Sequence, residues 1–276
     1  MAELSKEKAL EQIHELQQIA MDMLLDISAA CRKAGLRFYM AEGSLIGAIR
    51  HKGFIPWDDD IDLAMPREDY EKFLQVGQEL LGEKYRLQHS TTVENYWSPF
   101  IKVRLITDDP KFRQMHIAHL TKDNGPLIDI FPLDNVPKLS SFSQRLNRRK
   151  IGLYRGMITR KLGCLPHKSL SEKLAYFLSK FYTVERLHKK LDRLHVKYNS
   201  PDNGFMVNWA SYYSVEKETF PREAFGEPLY VPFEKYEMPV PQDYDTVLTT
   251  IYGDYMTPPP EDKRVIKHHF GAESGD

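Results

Sequence analysis

Cysteine is scarce. The 276 residues hold only Cys31 and Cys164, which lie far apart and match no metal-ligand or redox spacing. A disulfide framework is therefore excluded, and a reducing compartment is expected. Long apolar runs are also lacking, since none approaches the ~18 residues a spanning helix needs. Met1 leads into a charged, helical-looking stretch rather than the apolar core of a signal peptide. With 42% hydrophobic and 28% charged residues, the chain reads as a globular protein of the cytoplasm, large enough for a substantial core. One further absence is local: no Asp or Glu lies between Asp134 and Glu172, where nine Lys and Arg run from Lys138 to Lys168. The net charge of −1 hides this basic block, which needs a partner or a structural role.

What is abundant is acid in one place. Asp58-Asp59-Asp60-Ile61-Asp62 puts four carboxylates in five positions, and such groups repel unless a cation neutralises them. Ile61, Leu63 and Met65 alternate with Asp60, Asp62 and Ala64 as in a half-buried strand. Asp60 and Asp62 would then share a face roughly 7 Å apart, suited to divalent cations, with Asp59 turned the other way. Upstream, Gly43-Ser44 opens a short helical stretch and offers backbone N–H groups and a hydroxyl to a phosphate. The competing reading, a solvated acidic loop, fits poorly with the flanking Phe54-Ile55-Pro56-Trp57 and the apolar strand.

The rest of the chain supplies a frame. Apolar positions from Leu10 to Ile27 recur at helical spacing, and Gly35 fits as the C-cap. Strands are expected over Arg37 to Ala41, Tyr85 to His89 and Pro99 to Ile106, with a helix from Pro66-Arg67 to Leu81 stopped by Gly82. Leu127 to Phe131 is a further strand with Asp129 inside it, a costly place for an acid unless it is paired or metal-bound. Asp134, beyond Pro132, reads as a turn or cap residue. Residues 139 to 199 are helical, broken near Gly163 to His167. There Ile151, Tyr154, Ile158, Leu162 and Leu165 form an apolar stripe opposite an arginine arc. After Pro221 the pattern is Pro-rich, periodic only from Tyr244 to Tyr252.

The run from Gly43-Ser44-Leu45-Ile46-Gly47 through Arg50 and Pro56-Trp57 to Asp62 resembles the signature of the LicD family. That family includes phosphocholine transferases and distant fukutin-type ribitol-phosphate transferases. Asp129-Ile130-Phe131-Pro132-Leu133-Asp134 resembles its second acidic strand. Phe233-Glu234-Lys235-Tyr236 and Tyr252-Gly253-Asp254-Tyr255 resemble its C-terminal block. The resemblance implies an α+β fold: a nucleotidyltransferase-like mixed sheet with flanking helices and a helical insertion. The expected organisation is an N-terminal helix (1–35), a catalytic core (36–137), a basic helical insertion (138–200) and a completing C-terminal segment (201–276).

It also implies a reaction in which a CDP-activated alcohol gives its alcohol phosphate to a sugar hydroxyl, releasing CMP. Gly43 and Ser44 match the phosphate cradle, Asp60 and Asp62 the metal pair, and Asp129 the third acid. Glu42 stands where the family most often has a small residue. Mg²⁺, with Mn²⁺ as the substitute, would neutralise the diphosphate and orient the hydroxyl. Arg50, Lys102 and Arg104 are candidates to hold phosphate oxygens. Trp57, Tyr96, Trp97, Trp209, Tyr212 and Tyr213 offer aromatic faces to a choline head group. The acceptors of related enzymes are often lipid-linked, so the segment from Arg145 to Leu165 is a candidate peripheral membrane contact at the inner face, against a second reading in which its apolar stripe packs on the catalytic core and its arginines bind the acceptor's phosphates. No nucleic-acid partner is expected.

Asp60-Ile61-Asp62 also fits a metal-dependent glycosyltransferase, against which Gly43-Ser44 and Asp129 argue. The basic block alone would fit a non-catalytic membrane or polyanion binder. His116 and His119 with Asp123, and His268-His269, lack the further ligands a zinc site needs.

Overall fold

Sequence periodicity and helix punctuation account for most of the architecture. The computed structural model describes residues 2–114, 117–138, 142–166 and 168–264, with only the backbone of residues 2–9. Helix α1 (Ala2–Ala34) buries Ile13, Leu16, Ala20, Met23, Leu24, Ile27 and Cys31 along one stripe. It ends where Gly35 turns left-handed at φ 64°, while the Leu36 amide reaches back 2.9 Å to the Cys31 carbonyl. Next come β1 (Tyr39–Met40), α2 (Glu42–Ile46) and a π-helical turn (Gly47–His51). They lead to β2 (Ile61–Pro66), α3 (Arg67–Leu81), β3 (Tyr85–Gln88) and β4 (Ile101–Leu105). Strand β5 (Leu127–Val136) is followed by α4 (Phe142–Lys161), α5 (Leu170–Ser179) and α6 (Val184–His195). The chain continues through β6 (Phe205–Val207), β7 (Thr219–Pro221), the hairpin β8 (Leu229–Phe233) and β9 (Tyr236–Val240), and α7 (Tyr244–Tyr252).

The fold is α+β. Its sheet runs β1-β2-β5-β4-β3, with β6 and β7 added beyond the far half of β5. Strands β2 and β5 are parallel, and the other described pairings are antiparallel. Cross-strand neighbours share a face, so the register sorts the side chains by row. Leu87, Val103, Ile128 and Ile61 form one apolar row, and all four are buried in a core that includes residues of α1, α3 and α7. Each fully buried Ile or Val adds about 1.5–3 kcal/mol of transfer free energy. The adjacent row is polar and carries the site.

Asp134 is not a turn residue. Strand β5 continues through Pro132 because that residue falls between the end of β4 pairing at Ile130 and the start of β6 pairing at Asp134. An imino acid costs little at such a break. Asp134 is fully buried and takes Arg67 Nε and Nη2 at 2.8 and 2.7 Å.

The helices of the basic block form a second core. Ile151, Met157 and Ile158 of α4 pack with Ala175, Leu187, Leu191, Val136 and Trp209. The α4 apolar stripe therefore faces inward, with Tyr154 and Leu162 against the same cluster. Leu153 and Leu165 are left exposed. Of the two readings of Arg145–Leu165, packing on protein holds for most of its apolar side, although the partner is this helical core rather than the catalytic one.

Candidate active site

Gln88, Lys102, Asp129 and Asp62 form one polar row across β3, β4, β5 and β2. Asp62 and Asp129 are direct neighbours on the parallel pair. Lys102 stands on the other side of Asp129 and donates to both its oxygens at 2.7 and 2.8 Å. The same ammonium sits 4.6 Å from the Phe100 ring centroid.

Asp60 precedes the strand, and residues 58–60 are not extended ladder. The expected alternation therefore begins only at Ile61 and does not set the direction of Asp59. Asp59 is buried and lines the same cavity as Asp60 and Asp62. Burial, and then the charges of Asp60, Asp129, Glu42 and Asp58, push the Asp62 carboxyl well above the usual carboxylate range.

Two cavities meet at these acids. The first, about 450 Å³, is lined by Asp129, Lys102, Trp97, Phe131, Tyr212 and others. The second, about 380 Å³, is lined by Gly43, Arg50, Trp57, Asp58, Tyr252, Tyr255 and others. Glu42, Asp60, Asp62 and Tyr213 line both. The acids are thus a shared wall with a chamber on either side.

The remaining expected residues divide. Gly43 lines the second cavity, and a side chain there would meet an Asp58 carboxylate oxygen at 2.9 Å, so a larger residue would push that carboxylate aside. Ser44 lines neither cavity. It is buried, and its hydroxyl accepts the Asp62 amide at 2.8 Å, which makes it a strut for the acidic strand rather than an open phosphate ligand. Arg50 reaches the second cavity from the π turn, a helical defect frequent at functional sites. It donates to His51 Nε2 at 3.0 Å and to the Tyr255 carbonyl at 2.6 Å. Burial, followed by Arg50's charge, pushes the His51 imidazole down. Trp57 lies at the same cavity, 5.1 Å from the Arg264 guanidinium.

Arg104 is corrected. It borders the first cavity but is 1% exposed. Its Nε donates to Gln88 at 2.8 Å, and its Nη1 donates to Gln114 and the Gly125 carbonyl at 3.0 and 2.7 Å. Those bonds tie β4 to the loops beside it. Of the six aromatics, Tyr96 and Trp209 are buried, while Trp97, Tyr212 and Tyr213 line the first cavity.

Among the described residues, no group of three or more His, Cys, Asp or Glu is gathered as a ready ion cage; Asp129 is turned to Lys102 instead. His116, His268 and His269 lie outside the described residues.

Three residues gave little advance signal. Glu42 holds a non-glycine left-handed conformation at φ 47°, a strain that often persists at functional sites, and it lines both cavities. Glu218 is buried and accepts the Ser211 hydroxyl at 2.7 Å; burial and neighbouring Glu42 push its carboxyl up to about 9. The Tyr252 hydroxyl lies 3.4 Å from Glu42, and burial and Glu42 push that phenol up. Glu42 stood out as unusual before Gly43, and Tyr252 lies in the C-terminal block. Nothing local marks Glu218.

A mixed sheet bearing the in-register acids Asp62 and Asp129 beside the Gly-Ser of α2, at the junction of two cavities, is an arrangement suited to phosphoryl transfer. Residues 35–158 match the model of the LicD/FKTN/FKRP nucleotidyltransferase domain. It is similar to the lipopolysaccharide cholinephosphotransferase LicD of Haemophilus influenzae, with 29% identity over 268 residues covering 93% of this chain and 96% of that one. The ribitol 5-phosphate transferases FKRP of Mus musculus and Homo sapiens match over 36 residues at 53% identity, covering 13% of this chain and 7% of theirs.

Proposed function

We propose that the chain moves phosphocholine, or a similar alcohol phosphate, from a CDP-activated donor to a sugar hydroxyl of a cell-surface glycan precursor, releasing CMP. The observation that carries this reading is the shared wall of Asp60 and Asp62 between two cavities, with Asp129 beside Asp62. Such a transfer needs donor and acceptor to approach one phosphorus from opposite sides. The acceptor oxygen bonds to the phosphorus bearing the alcohol, the bond to CMP breaks, and the hydroxyl proton passes to a base. Asp129 is the candidate base, held in place by Lys102.

A divalent cation fits the donor set. The carboxylates are hard oxygen ligands, and the crowding that raises the Asp62 carboxyl is relieved by positive charge. Asp60 and Asp62 would hold Mg²⁺, or Mn²⁺ in its place, while Asp129 stays on Lys102; the ion would supply charge neutralisation and Lewis acidity. Arg50 would steady phosphate oxygens in the second cavity, and Lys102 would do so in the first. Trp97, Tyr212 and Tyr213 would offer ring faces to a quaternary ammonium, which forms no hydrogen bonds.

The test measures CMP release from CDP-choline, CDP-ribitol and CDP-glycerol, with and without Mg²⁺ and a sugar acceptor. Acceptor-dependent release from one of them is expected. Release from none, with turnover of a sugar nucleotide instead, would replace this reading with a glycosyltransferase.

A further inference from the structure

Helix α5 presents apolar side chains on two sides. Ala175 and Ser179 are buried, and Leu178 packs on the second core. On the outer side Leu170, Leu174 and Phe177 are 86%, 56% and 53% exposed, and Phe181, just past the helix, is 67% exposed. Leu170, Leu174 and Phe177, four and three residues apart, lie on one helical stripe, and Phe181 in the turn after the helix extends it. Phe177 and Phe181 already stack edge to face at 5.4 Å. An uninterrupted apolar strip of this size on a surface marks an interaction site.

Charge narrows the occupant. Between residues 135 and 184 the chain has eleven Lys and Arg but one acid, Glu172. That carboxylate is consumed locally by Arg160 at 2.8 Å and the Lys168 and Ser169 amides at 2.9 and 2.8 Å. Lys168, Lys173 and Lys180 stand exposed around the strip. On α4, Arg145, Arg149 and Lys150 are exposed too. A second copy of this face would bring like charges together, which is unfavourable. Two large aromatic side chains and two leucines, ringed by lysines long enough to keep their ammonium groups in water, suit an acyl–headgroup boundary under anionic lipids.

We propose that the outer strip Leu170, Leu174, Phe177 and Phe181 is an interfacial docking surface for an anionic membrane. Among the described residues no helix is long and apolar enough to cross a bilayer, so the contact is peripheral. It does not depend on the identity of donor or acceptor.

The full chain is mixed with phosphatidylcholine vesicles, with or without about one third phosphatidylglycerol, at low and high salt. Binding to the anionic vesicles at low salt is expected, weakening as salt rises. Leu170→Ser with Phe177→Ser and Phe181→Ser should lose about tenfold or more of it. These side chains are exposed, so circular dichroism and donor turnover in solution should stay unchanged. Lys168→Gln with Lys173→Gln and Lys180→Gln should erase the preference for anionic lipid, each lysine being worth about fivefold. As a probe needing no loss of apolar surface, the Phe181→Trp variant should shift its emission to the blue on anionic vesicles alone. The proposal is overturned if the wild-type chain ignores anionic vesicles and the emission of the Phe181→Trp variant stays unshifted. Equal binding by the serine variant overturns it as well. So does light scattering that shows a dimer which the serine variant breaks, since a second copy then covers the face.

Discussion

Lys102 and Asp129 face each other across β4 and β5, with the ammonium bridging both carboxylate oxygens at 2.7 and 2.8 Å. The lysine therefore neutralises the acid that adjoins Asp62, and holds it in one rotamer at the floor of the first cavity.

Lys102→Met should destabilise the fold by about 2 kcal/mol. That is less than the ~3–5 kcal/mol of a fully buried pair, because both side chains keep some water contact. Adding Asp129→Asn should recover part of this loss, since the uncompensated carboxylate is gone, while activity stays absent. Urea titrations of the wild type, both single variants and the double variant measure the coupling. Additive losses would mean that the pair is not a stabilising unit.

Asp60→Asn and Asp62→Asn should each lower turnover by about a thousandfold, the equivalent of several kcal/mol of lost charge stabilisation. Melting temperatures should hold or rise, because each change relieves repulsion in the crowd that raises the Asp62 carboxyl. Asp59→Asn should have an intermediate effect, since Asp59 borders the first cavity but not the second. Calorimetry beside turnover separates the two effects; a large drop in melting temperature would show that these acids stabilise the fold.

Glu218 should make stability fall with rising pH. Its folded carboxyl is raised from the ordinary 4.5 to about 9, so between those values the folded state keeps a proton that the unfolded chain releases. The stabilisation is complete below the unfolded value and is lost, by up to about 1.4 kcal/mol per pH unit, until the folded value is reached. Glu218→Gln mimics the protonated acid and should flatten that slope. Melting curves at pH 5 and pH 8, roughly inside this window, test it: the same slope in both proteins would assign the dependence to another group.

The sequence disclosed what local pattern controls. The stop of α1 at Gly35, the start of α3 at Arg67 and the polar row through Asp62 follow from punctuation and period-two alternation. The errors arise where partners are remote. Ser44 looked available to a phosphate because its acceptor role depends on an amide eighteen residues away. Arg104 looked available to a phosphate because Gln88, Gln114 and Gly125, which bind it, come from separate segments. In α4 periodicity revealed an apolar stripe but not which neighbour covers it. In α5 apolar residues on both sides blurred the direction altogether.

Strand β5 belongs to both cores. Ile128, Ile130 and Leu133 lie in the main one, while Val136 lies in the helical one. Neither core is able to melt without fraying the strand they share, so the chain should lose its two halves in one cooperative step. Asp129 rides on that strand about 23 Å from Val136 at ordinary strand rise. Damage to packing among α4, α5 and α6 should therefore be felt along β5 at the candidate acids, and a lesion far from both cavities should register as lost turnover.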